Sequence, residues 1–144
     1  MSIFQDAILR FGRTIMSYAG DALFLQAAVS AAANVTIADG DVDEEEVESA
    51  ISGMRANPIL QKSYDTLRIE QELYEAIARA KTRAGRIDNL RHVAAIADRP
   101  IDQRQDIFLI AADVADFGGI SAVEHKALDE IAAALQVDKA ALLR

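Results

Sequence analysis

Seven glycines and two prolines are the only strong breakers in this chain of 144 residues, and between them apolar side chains recur at helical spacing almost without interruption. Nothing in the pattern alternates as a strand would, so the spacing predicts eight helices and no strand. The first covers residues 2–19, where Ile3, Phe4, Ala7, Ile8, Phe11 and Ile15 form one stripe and Asp6, Arg10 and Arg13 lie off it. Such a stripe either docks on a core or lies along a membrane interface, and two arginines make too weakly basic a face for the second. Gly20-Asp21 breaks the chain, and an alanine-rich helix follows to about Thr36. Its Ala27, Ala28, Ala31, Ala32 and Ala33 let neighbours approach closely, which predicts burial. Helices are further expected over about 44–56 and over 58–63, the latter with Asn57 as N-cap and Pro58 at its first position. A longer one opens at Tyr64-Asp65-Thr66 and ends near Gly85, with Leu67, Leu73, Tyr74, Ile77 and Ala78 on one side. Arg79, Lys81 and Arg83 suit its negative end. The remaining helices are expected over 86–97, over 100–116 with Phe108, Ile110 and Val114 inward, and over 122–136. A short turn closes the chain from Val137-Asp138.

One passage stands out against this background: Ala38-Asp39-Gly40-Asp41-Val42-Asp43-Glu44-Glu45-Glu46-Val47. A weaker copy follows at Ala115-Asp116-Phe117-Gly118-Gly119-Ile120-Ser121-Ala122-Val123-Glu124. In each, an alanine-rich run ends at an acidic residue; a glycine, a spacer and a β-branched residue follow, with a glutamate four residues on (Val42 to Glu46, Ile120 to Glu124). Two such signals imply an internal duplication. The expected fold is all-α: a single domain over residues 1–144, of seven to eight helices in two pseudo-symmetric halves, with residues 1–20 as an amphipathic helix docked on it.

The chain is long enough for a sizeable core, since a domain of about 150 residues hides roughly 68–70% of its unfolded surface. It has no cysteine, which removes disulfides, thiolate metal sites and a cysteine nucleophile. The net charge of −8 has a location: Asp39, Asp41, Asp43, Glu44, Glu45, Glu46 and Glu48 hold seven negatives, and the remainder carries −1. Nucleic acid is not the expected partner of that face. No secretory pattern opens the sequence, and the longest uncharged run, 22–38, is too short and too polar to span a membrane. A cytoplasmic protein is the expectation.

Two readings of the acidic turns compete. Asp43-x-x-Glu46 and Ser121-x-x-Glu124 both satisfy the capping box, in which the first side chain accepts from the backbone of the second residue and the glutamate reaches back. Carboxylates at a helix start are favourable by about 0.3–1 kcal/mol each, so Glu44 and Glu45 need no further role. Capping leaves Asp39 and Asp41 unexplained. Asp39, Asp41 and Asp43 have the spacing that opens a calcium loop, but Glu44 stands where that loop requires glycine and Ala50 where it requires glutamate, so this is not an EF-hand. A compact oxygen-rich turn remains, and Asp39, Asp41, Asp43 and Glu46 can offer several ligands to a hard divalent ion. The second turn has Asp116 and Glu124, with Asp113 one helical step back, but Phe117 and Gly119 replace two carboxylates. His125 is read as a solvated side chain rather than a ligand, and His92 has no acidic partner nearby in sequence.

The apolar helix, Ala38-Asp39-Gly40 with Val42 and Glu46, and the repeat some 78 residues later at Gly118 and Glu124, resemble the TerB tellurite-resistance family, whose module also accompanies DjlA-type co-chaperones. The resemblance covers about 24–135. It implies an all-α domain of two related halves, with suspected metal contacts at the acidic positions: Asp39, Asp41, Asp43 and Glu46, with Asp116 and Glu124 secondary because Phe117-Gly118 stands where the family has Asp-Gly. It further implies a non-enzymatic stress-response role in tellurite or metal resistance. The bound ion would be calcium, magnesium or zinc, and the chain a cytoplasmic scaffold, peripheral at the inner face of the membrane, for a TerC-like membrane protein. The alternative is a metal-independent interaction module that docks through the acidic turn. The basic segment Arg79, Lys81, Arg83, Arg86 and Arg91 is a further candidate for self-association or lipid contact. With no Gly-rich phosphate loop, no nucleophile motif and no histidine cluster, an enzyme is not expected.

Overall fold

The structure, a computed structural model, describes residues 22–38, 66–115 and 120–143. Among these, six helices and no strand appear: α1 (Ala22–Ile37), α2 (Thr66–Ala80), α3 (Arg83–Ala94), α4 (Ile101–Ala115), α5 (Ala122–Leu135) and the single turn α6 (Lys139–Leu142). The helices expected over 2–19, 44–56 and 58–63 lie outside the described residues, as do the first acidic turn and its relation to the second. Among the described residues no helix is long and apolar enough to cross a membrane.

α1 is the hub. It packs on α2, α3, α4 and α5, and every residue from Ala27 to Thr36 is buried. A helix surrounded this way has no polar face to present, and its alanines leave room for four neighbours, as the composition predicts. α2 turns Ile69, Leu73, Ala76, Ile77 and Ala80 toward the core. Leu73 and Ile77 face inward as expected, but the stripe continues through Ile69, Ala76 and Ala80, while Tyr74 and Ala78 point outward, because each step along a helix rotates the side chain by about 100°. α4 contributes Ile107, Phe108, Ile110, Ala111 and Val114, and α5 contributes Leu128, Ile131 and Leu135.

The break between α2 and α3 falls at Lys81-Thr82 and not at Gly85. Thr82 is the N-cap, and its hydroxyl accepts from the backbone N–H of Gly85 at 3.0 Å. Gly85 then lies in the first turn of α3, where a Cβ would run into the backbone carbonyl of Arg79. Glycine serves here as the surface against which the end of α2 packs, not as a stop signal. Arg83 accordingly opens α3 and does not close α2. Downstream, α3 ends at Ala94, and residues 95–99 turn toward α4.

Two further devices fix the far end. Gln136 adopts a left-handed conformation (φ 58°), with its N–H donating to the Ala133 carbonyl and that of Val137 to the Ala132 carbonyl, a Schellman closure of α5. Arg104 of α4 donates through Nη1 to the carbonyls of Leu135 and Gln136, both at 3.1 Å, placing its charge at the negative end of α5.

Candidate functional site

Of the sequence-predicted site residues, Asp39, Asp41, Asp43, Glu46 and Asp116 lie outside the described residues. Glu124 is described, and it is 3% exposed. Its Oε1 accepts from the Ser121 N–H at 2.9 Å while the Ser121 hydroxyl accepts from the Glu124 N–H at 3.2 Å. This is the reciprocal capping box at the start of α5. Asp113 is exposed on the last turn of α4, His125 and His92 are half-buried, and His125 N–H donates to Ser121 O at 2.9 Å as the first bond of the helix. Among the described residues no three carboxylates or histidines gather as a metal-binding group.

What the described residues do build is a groove of about 480 Å³ between the end of α1 and the first halves of α3 and α5. Ile37 and Ala38 close it on the α1 side. α3 contributes Arg83, Arg86, Ile87 and Leu90, and α5 contributes Val123, Lys126, Ala127 and Glu130. Both sets have the spacing i, i+3, i+4, i+7, so each is one continuous stripe of its helix. Ile87 is 53% exposed and Val123 49%, high for β-branched side chains beside a packed core. Arg83 and Lys126 are exposed and make no hydrogen bond or ion pair among the described residues. The groove therefore joins apolar side chains to three cations, and Glu130 is the one carboxylate among its described lining residues.

A buried polar network holds the α3 wall in place. Asn89, fully buried, donates through Nδ2 to Asn34 Oδ1 (2.9 Å) and to the Ala76 carbonyl (3.0 Å), and its Oδ1 accepts from Arg79 Nε (2.8 Å). Asn34 donates in turn to the Arg86 carbonyl at 3.2 Å, and Arg86 Nη1 donates to the Ala80 carbonyl at 3.0 Å. Three helices are thus tied at the point where α3 begins, which sets Arg86 and Ile87 at the rim. Of the basic segment noted in the sequence, Arg79 turns into this network. Arg83 and Arg86 face the groove.

Sequence reasoning missed the groove. Its signal was present in the two stripes, but beginning the helix at Arg86 detached Arg83 from Ile87 and Leu90. Comparison of the chain with protein-family models, with curated proteins and with solved structures gives no match.

Proposed function

We propose that this chain is a non-enzymatic interaction scaffold whose partner-binding face is the groove between α3 and α5. The observation that carries the reading is the coincidence of exposed Ile87 and Val123 with Arg83 and Lys126, cations that have no ion pair among the described residues, in one concavity. Exposed apolar surface rimmed by charge is a mark of an interaction site. On the TerB-like reading, a divalent ion at Asp39, Asp41, Asp43 and Glu46, with Asp116 and Glu124 secondary, regulates the scaffold in metal or tellurite stress, and a TerC-like membrane protein is its partner. In sequence, that acidic stretch begins one residue beyond Ala38, which lines the groove.

The test is a photo-crosslinking side chain at position 87 of the full chain, in extract from its source, with position 109 on α4 as control. One discrete adduct at 87 and none at 109 is expected. Equal or absent crosslinking at both rejects the scaffold. Loss of the adduct in EDTA, with recovery on adding calcium, magnesium or zinc, selects the metal-dependent form. Persistence in EDTA selects the metal-independent module.

A further inference from the structure

We infer that the groove receives one amphipathic, acidic α-helix of a partner protein, its apolar ridge seated on Ile87, Leu90, Val123 and Ala127 and its carboxylates set against Arg83, Arg86 and Lys126. The inference rests on the interaction reading above and specifies the partner's chemistry.

Shape selects the helix. α3 and α5 pack on each other and present parallel-spaced stripes, each one helical face wide, so the channel between them matches the ridge of a third helix. Recognition of a helix in a groove uses anchors at i, i+3 or i+4, and i+7. About 480 Å³ accommodates the apolar side chains of two or three such turns, but not a folded domain. A membrane is the poorer fit, because these residues line a concavity, which a flat bilayer does not enter.

Charge selects the acidic face. Arg83 and Lys126 have no carboxylate of their own among the described residues, and a partner's carboxylate would provide one. Complementary charge steers such a helix to the groove, where Arg83, Arg86 and Lys126 face one carboxylate, Glu130, among the described lining residues. Glu130 terminates the stripe on α5 and disfavours a carboxylate at that end, which gives the bound helix a polarity.

The test is selection of a displayed library of randomised helical peptides on the full chain, counter-selected on the Ile87→Asp/Val123→Asp variant. Both positions are exposed, so the variant should keep the wild-type melting midpoint, which is checked first. The expected winners carry large apolar residues at helical spacing flanked by Asp and Glu. Their affinity should fall at least tenfold in Arg83→Glu/Lys126→Glu. Groove-dependent winners that are basic, or have no helical period, overturn the acidic-helix inference and leave the interaction scaffold standing. If nothing groove-dependent is enriched but sedimentation shows a dimer that Ile87→Asp dissolves, a second copy covers the groove, and the inference again fails alone. No groove-dependent enrichment with a monomer at all concentrations overturns both.

Discussion

Two fully buried polar residues of this core, Asn89 and Ser30, stand in opposite hydrogen-bonding situations, and alanine should move stability in opposite directions at the two sites. Asn89→Ala leaves Asn34 Oδ1 and Arg79 Nε without these partners, while the Ala76 carbonyl keeps its place in the ladder of α2. An unsatisfied buried group costs about 1–3 kcal/mol, so the loss should be about 2 kcal/mol or more, read as a lower urea midpoint at unchanged slope. A midpoint within error of wild type would show that the network is not structural. Ser30 Oγ, in contrast, has no hydrogen-bond partner among the described residues. Ser30→Ala removes a dehydrated hydroxyl and installs the better helix former, and should raise stability by about 1 kcal/mol in the same assay. What was legible at this scale was local. Ser121-x-x-Glu124 forms its capping box because both partners lie within one turn of each other. Asn89 was illegible because its partners come from α1 and α2, 55 and 13 residues away for Asn34 and Ala76.

At the scale of elements, the start of α3 decides more than its length suggests. Gly85→Ala tests it, since two effects of opposite sign meet there. Alanine in a helix gains about 0.5–1 kcal/mol over glycine. The new methyl, however, lands on the Arg79 backbone, which cannot rotate aside as a side chain could. Forced overpacking costs about 1–3 kcal/mol or more, so a net lowering of the melting midpoint is expected; a rise would mean that the α2–α3 corner is looser than described. The alanine-rich α1 was legible from composition, and so were the inward Phe108, Ile110 and Val114 of α4. The α2–α3 corner was not. Glycine commonly ends helices, and only the tertiary approach of Arg79 tells a packing glycine from a terminating one. The capping hydroxyl of Thr82 was the local signal that could have corrected the reading. It would also have placed Arg83 in the stripe with Ile87 and Leu90, and the groove would have followed.

For the molecule as a whole, the question is how seven carboxylates within residues 39–48 act on a fold whose remaining charge is −1. On the TerB-like proposal, EDTA-stripped protein titrated with calcium, magnesium, manganese and zinc should gain stability with one of them. The gain would be about 2.7 kcal/mol at a hundredfold excess over Kd, lost in Asp39→Asn. Glu124→Gln, which keeps the capping pattern, separates the halves: an undiminished response confines the ion to the first turn. A flat response to all four ions leaves that turn as a capped helix start and a docking patch. The means of reading all these variants lies in α1. Its residues from Ala27 to Thr36 are buried, their amides bond within the helix, and it packs on four other helices. Their exchange with deuterated solvent therefore requires the whole bundle to come apart, and the slowest amides between Ala27 and Thr36 should report the global unfolding free energy in plain buffer. The central helix is in this sense an internal gauge, readable without denaturant or heat.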